Sequence, residues 1–197
     1  MTRLSGPERR RQIVEAAYEL IAEKGLSETA TSDVTRKLNV GSGLLHHYFS
    51  SWKELRAEAV RTFVLAEIAA VDSMLASSDA DELVARLTDW MVDDPGFRHW
   101  SIWLNAIEEA RRDPAMAAVV QEAYRNWHAV IVRVLRRLDA ACQGCCSDPV
   151  AAAWRLSALM DGLAGILIMG GSFSGPSQAK RLLRQQFAME ISSAAEA

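Results

Sequence analysis

The chain has 197 residues, of which 50% are apolar and 24% charged; that is enough for one or two folded domains with a sizeable core, and it excludes an intrinsically disordered chain. The net charge of -3 argues against a uniformly basic nucleic-acid binder. The charge is uneven, however: residues 1–61 carry ten Lys/Arg against eight Asp/Glu, and residues 62–197 carry twelve against seventeen, the pattern of a small basic head on an acidic body.

Helical periodicity begins at Arg9. Ile13, Ala16, Ala17, Leu20 and Ile21 fall at i, i+3, i+4, i+7 and i+8 before Gly25 stops the helix. Two short helices are expected at 29–38 and 42–48, separated by the turn-prone Asn39-Val40-Gly41, and a longer one opens at Lys53 and Leu55. A long helix, a short helix, a tight turn and a second short helix with polar side chains is the layout of a helix-turn-helix DNA-binding unit.

The remaining elements also read as helices. Leu55, Ala59, Phe63, Ala66 and Ala70 mark one face of the fourth, which ends near Ser77-Ser78. Asp79 or Asp81 is expected to cap a fifth, carrying Leu83, Leu87 and Trp90. After the turn Asp94-Pro95-Gly96, a sixth covers 97–112, with Trp100, Trp103 and Ile107 on one side. Asp113-Pro114 opens a seventh that runs to Cys142, and Asp148-Pro149 an eighth that is apolar nearly all round to Met169. After a loop at 170–176, Ser177 is expected to cap a ninth with Leu182, Leu183 and Phe187. The expected fold is all-α, about nine helices, divided into a DNA-binding head at 1–54 and a ligand-binding and dimerisation domain at 55–197.

The most membrane-like run, 156–171, is broken by Asp161 and several glycines, so a helix buried on several sides is expected rather than a span. No apolar segment follows the basic N-terminal residues, so no secretory signal is expected and the compartment should be the cytoplasm. Cys142, Cys145 and Cys146 make a poor disulfide framework and read as reduced thiols; C-x-x-C-C also has the composition of a soft metal or oxidant sensor. No metal or cofactor is otherwise expected. An enzyme is not expected either, because no H-E-x-x-H, G-x-S-x-G or phosphate-cradling glycine loop occurs.

Five of the six tryptophans, Trp90, Trp100, Trp103, Trp127 and Trp154, lie beyond the head. Indole faces hold quaternary ammonium ions at about 0.5–2 kcal/mol per contact. Asp161, an acid in an apolar helix, must be paired and is expected either to face a cationic ligand or to partner Arg155. Trp90, Trp100, Trp103, Trp127, Phe63 and Asp161 are therefore the candidate ligand-binding residues, with a large apolar ligand as the alternative occupant. The last two helices carry surplus apolar surface, and Leu159, Leu163, Ile166, Leu182 and Phe187 are the candidates for a twofold homodimer contact.

The runs Arg10-Arg11-Gln12-Ile13-Val14-Glu15-Ala16-Ala17, Glu23-Lys24-Gly25 and Gly43-Leu44-Leu45-His46-His47-Tyr48-Phe49 resemble the N-terminal domain of TetR-family repressors. The third run, with Trp100 to Trp103, Asp113-Pro114, Tyr124, Trp127 and Ala158-Leu159-Met160-Asp161-Gly162-Leu163, is similar to the BetI-like branch, whose best-known member responds to choline. The resemblance implies a one-component regulator in which a small molecule shifts the spacing of two heads and releases a palindromic duplex. It implies that Ser42, Gly43, Leu44, His46, His47 and Tyr48 form or flank the recognition helix, and that Thr29, Thr31 and Lys53 meet phosphates, with Arg10 adding attraction. The chain departs from the family pattern at Ala30, Gly41, Leu44, His46 and Trp52, with Lys53 one place beyond the usual phosphate-binding lysine.

Overall fold

A computed structural model describes residues 5–93, 95–142, 145–170 and 175–192. Among them nine α-helices follow one another: α1 (Gly6–Lys24), α2 (Thr31–Leu38), α3 (Ser42–Tyr48), α4 (Trp52–Ala76), α5 (Leu83–Val92), α6 (Arg98–Ala110), α7 (Pro114–Cys142), α8 (Pro149–Met169) and α9 (Pro176–Ser192), with a 3-10 turn at Pro95–Phe97. No strand occurs among the described residues. Of the expected turns and loops, Asp94 and residues 143–144 and 171–174 lie outside the described residues.

Contacts within the chain group it into two compact units, Met1–Ala66 with Ser101–Ala123, and Glu67–Trp100 with Tyr124–Ala197. The first unit therefore takes in most of α6 and the start of α7, beyond the head expected at 1–54.

In the first unit, α1 starts three residues before the expected Arg9. Ser5 and Glu8 form a reciprocal capping box in which Glu8 Oε2 accepts the Ser5 backbone N–H at 2.8 Å and Ser5 Oγ accepts the Glu8 N–H at 3.5 Å. Ile13, Val14, Ala16, Ala17, Leu20 and Ile21 form the buried stripe, and Gly25 ends the helix at φ 94°, a backbone angle that favours glycine. α2 lacks a capping hydroxyl because Ala30 stands at its N-cap. Asp33 Oδ2 compensates by accepting the Ala30 N–H at 3.0 Å, and Lys24 Nζ lies 3.0 Å from the other oxygen of the same carboxylate. These contacts, the Ala30 N–H above all, hold the Asp33 carboxyl below its ordinary value. Asn39, at φ 53°, makes the tight turn that separates α2 from α3.

In the second unit, α5 and α9 are tied by ion pairs. Lys180 Nζ reaches Asp93 Oδ2 at 2.6 Å and Asp89 Oδ1 at 3.0 Å, and Arg184 donates to Asp89 Oδ1 at 2.7 Å and to Thr88 Oγ1 at 3.1 Å. Phe187 and Leu183 on α9 and Leu156, Leu163 and Ala164 on α8 are buried in the core.

α8 differs from the helix expected in sequence. It is long and apolar enough to cross a membrane by length and composition alone, yet Ala152, Ala153, Leu156, Met160, Leu163, Ala164 and Leu167 put one face into the core of its unit. It is not covered on several sides: Val150, Trp154, Ile168 and Met169 are exposed.

Arg155 does not pair with Asp161 as one reading expected. It forms a two-point ion pair with Glu190, which is 4% exposed. The Arg155 hydrogen bonds hold the Glu190 carboxyl below its ordinary value, with Gln186 adding to the shift. A carboxyl lowered in the folded state stabilises fully above its unfolded value near 4.5 and loses that contribution as pH falls through the folded value. Urea denaturation of Glu190→Gln should therefore show a smaller stability loss than the wild type as pH falls below about 4.5. Arg155→Ala, which removes the cation from a buried carboxylate and leaves it the Gln186 hydrogen bond at 2.8 Å, should cost about 2 kcal/mol at pH 7, below the range for fully buried pairs because the arginine is half exposed.

The expectation of three reduced thiols is corrected. Cys142 and Cys145 are joined as a disulfide with Cα atoms 5.7 Å apart, and Cys146 is a buried free thiol. Burial, ahead of the neighbouring Asp139 charge, pushes the Cys146 thiol above its ordinary value.

Candidate DNA-reading helix and aromatic effector site

α3 is two turns long and hangs on one buried side chain. Leu45 is 3% exposed and docks the helix, and Phe49 at its C-cap is equally buried. Ser42, Gly43, His46 and His47 are exposed, and Leu44 and Tyr48 half-buried, so this short helix holds a polar surface clear of its own unit. The imidazole of His47 meets the Tyr48 ring edge-on at 4.9 Å, which restricts both side chains. A Cβ added at Gly43 would meet no atom within 4 Å, so nothing in this chain requires glycine there.

The other expected DNA contacts divide. Lys53, in the first turn of α4, is exposed, and Thr31 opens α2 half-buried. Thr29 does not fit the role of a phosphate contact: it is 4% exposed and its hydroxyl donates to the Gly25 carbonyl at 2.8 Å, which closes the end of α1. Arg10 has a structural task. It donates to both Glu58 oxygens, at 2.6 and 3.2 Å, and its guanidinium lies 4.6 Å from the centre of the Phe49 ring, which joins α1 to α4 over the end of α3. Within the same unit, Arg61 makes a two-point pair with Glu122 at 2.8 and 2.9 Å, and Arg56 pairs with Glu109. Burial raises the Glu109 carboxyl above its ordinary value, against the opposing pull of Arg56.

In the second unit, three of the candidate ligand-binding residues come together. Trp90 lies 5.1 Å from Trp127, and on its other contact stacks on His99 at 5.0 Å with 13° between the planes. His99 in turn lies 5.4 Å from Trp100, whose indole N–H donates to the Met91 carbonyl at 2.7 Å. Trp90 and Trp127 are half-buried and Trp100 buried, so one aromatic group keeps partly accessible indole faces. Asp161 Oδ2 accepts the Tyr124 hydroxyl at 2.7 Å. Burial, then this hydrogen bond, raises the Tyr124 phenol above its ordinary value, so it remains a donor at any physiological pH. Tyr124 and Trp127 are three residues apart on α7 and share a face, which sets the Asp161 carboxylate one helical turn from an indole of the cluster.

Trp103 and Phe63 belong to the first unit and are buried there; Phe63 lies 6.1 Å from Tyr18. Sequence reasoning missed His99 and Tyr124 as site residues. Tyr124 carried a signal in its i, i+3 relation to Trp127, whereas nothing local marks the stacking of His99 on Trp90.

Of the expected dimer contacts, Leu163 and Phe187 are corrected: they are 4% and 0% exposed within one chain and have no surface left to offer a second. Leu159, Ile166 and Leu182 are half-buried.

Comparison with known proteins agrees with this geometry. Residues 13–59 match the family model for bacterial regulatory proteins of the tetR family, and residues 79–192, more than half of the chain, match the model for the C-terminal domain of BetI-type transcriptional repressors. The HTH-type transcriptional regulator BetI of Burkholderia thailandensis is 27% identical over 185 residues, covering 89% of this chain and 88% of that protein. The regulator of the same name from Agrobacterium fabrum is 27% identical over 191 residues, covering 95% and 90%. Among solved structures, a transcriptional regulator from Saccharomonospora viridis in complex with choline is 29% identical, covers 91% of this chain and 95% of its own, and has a TM-score of 0.75. With an exposed polar helix on a helix-turn-helix and a BetI-type domain after it, the chain belongs to the TetR family and is a DNA-binding transcriptional regulator.

Proposed function

We propose that this chain is a homodimeric repressor that leaves a palindromic operator when a quaternary-ammonium compound binds the second unit. The observation that carries the reading is the aromatic group Trp90, Trp100 and Trp127 with a carboxylate, Asp161, one turn away. Ring faces attract a methylated ammonium that cannot donate hydrogen bonds, and a carboxylate neutralises its charge at longer range. The solved relative at 29% identity holds choline, a ligand of this class. Titration with choline should quench tryptophan fluorescence and saturate; a flat titration with choline and with other quaternary amines would retire the cationic reading and leave a large apolar effector.

Dimerisation rests on α8. Val150, Trp154, Ala158, Gly162 and Met169 recur at four- and seven-residue steps and are all exposed, with His128 stacked on one face of Trp154 at 4.4 Å, which makes one exposed, mostly apolar stripe. Met189 and Leu182, seven apart on α9, extend the apolar surface. This stripe replaces Leu163 and Phe187 as the candidate contact, with Leu159 and Ile166 at its edges. Two copies joined this way can present two heads to adjacent turns of the major groove, about 34–36 Å apart. In this reading Gly43, Ser42, Leu44, His46, His47 and Tyr48 meet base edges or phosphates, and Lys53 and Thr31 meet phosphates. The protein works in the cytoplasm, beside the chromosome.

A further inference from the structure

The C-x-x-C-C run that closes α7 takes no part in either site above. Asp139 and Cys142 stand three residues apart on the last turn of α7 and so share a face, and Cys145 follows in the turn toward α8. One Asp139 oxygen and the sulfurs of Cys142 and Cys145 all lie within 4.8 Å of one another. Two sulfurs on a tetrahedral zinc ion, each about 2.3 Å from the metal, are about 3.8 Å apart, so the bonded pair must separate by about 1.8 Å to share an ion. The cysteine Cα separation of 5.7 Å suits a disulfide and leaves the sulfurs near enough to share an ion once that bond is opened. The Asp139 carboxylate is already oriented, because its Oδ1 accepts the Cys146 backbone N–H at 2.8 Å.

A regulator that reads chromosomal DNA shares the reducing compartment of that DNA, where an exposed disulfide is opened by small thiols. We propose that, in the reduced chain, Asp139, Cys142 and Cys145 bind one divalent cation of the zinc class, with water at the fourth position. Two thiolates and a carboxylate suit a borderline-soft tetrahedral ion and not magnesium or calcium, which take oxygen ligands. Binding releases the two thiol protons to solvent and ties the end of α7 to the segment leading into α8. Cys146 is buried and its sulfur stands outside this group of ligand atoms.

The test uses the full chain, opened with a phosphine, which takes oxygen from water and leaves two thiols, then freed of reductant under nitrogen and titrated with Co2+. Thiolate-to-cobalt absorption in the near ultraviolet, with visible bands of a tetrahedral ion, should saturate at one cobalt per chain and be bleached by Zn2+. Cys142→Ser and Cys145→Ser should abolish the thiolate band, Cys146→Ser should keep it, and Asp139→Asn should weaken binding about tenfold or more. Cys142 is exposed and Cys145 half-buried, so serine at either position leaves the core packing in place, and circular dichroism checks it. No thiolate band in the reduced protein, or a band that survives in the Cys142→Ser/Cys145→Ser double variant, would overturn the proposal. A reduced chain that ignores cobalt but closes its Cys142–Cys145 bond with hydrogen peroxide would also overturn it, in favour of an oxidant-responsive pair.

Discussion

Replacing His47 with alanine should lower operator affinity about five- to 150-fold per head while leaving the thermal midpoint of unfolding within a few degrees of the wild type. The affinity range follows from the roughly 1–3 kcal/mol carried by a well-placed base contact, and it applies twice where two heads bind one site. The unchanged stability follows from exposure: His47 is exposed and meets the Tyr48 ring in a T-shaped contact, while Leu45 and Phe49 dock the helix. Gly43 gives an independent check. A side chain there meets no atom of the chain, and alanine has the better helix propensity by about 1 kcal/mol. Gly43→Ala should therefore fold at least as well as the wild type, yet lose affinity if duplex backbone packs against that position. Fluorescence anisotropy with a labelled operator duplex, beside a circular dichroism melt, reads both variants. Unchanged binding by both would remove α3 from the DNA surface.

The second large effect is expected at the aromatic group. Trp90→Ala should weaken a quaternary-ammonium effector about tenfold or more, because Trp90 is the ring that meets both Trp127 and His99, and its loss removes one cation–π face and loosens the others. Asp161→Asn should weaken the same ligand while an uncharged apolar compound binds as before, because the amide oxygen still accepts from Tyr124 while the negative charge is gone. Isothermal titration separates the outcomes. Equal losses for charged and uncharged ligands would mean that Asp161 is a structural partner of Tyr124 and not a counter-charge.

Much of the helical order was legible because apolar periodicity and local stop signals report it directly. α3 has the expected bounds and α2 the expected end, since Asn39 and Gly41 interrupt the chain where helices cannot continue cheaply; α2 begins at Thr31, two residues after the expected Thr29, whose hydroxyl instead closes the end of α1. The start of α1 was placed late although Ser5-x-x-Glu8 spells a capping box. α5 begins at Leu83, after a turn closed by the Glu82 N–H on the Asp79 carbonyl, so neither expected aspartate is its cap. α9 begins at Pro176, one residue before the serine expected to cap it.

What escaped the sequence was pairing at long range. The choice between Arg155 and Tyr124 as the partner of Asp161 depends on which helices lie side by side, and residues 37 positions apart leave no periodic trace. The same holds for the assignment of Arg155 to Glu190, 35 positions away. Burial of Thr29, Leu163 and Phe187 was hidden for a related reason. Composition says that a residue is apolar or polar, and only the packed chain says which apolar residues one copy already covers.

Operator recognition and release are read together in the salt dependence of binding to the duplex upstream of the chain's own coding region, measured by anisotropy with and without choline. Binding should be tight, with its logarithm falling linearly with that of salt concentration, and the complex should dissociate as choline saturates the tryptophan signal. Binding to no duplex at low salt, or binding that choline leaves untouched while it quenches the tryptophans, would contradict the repressor reading.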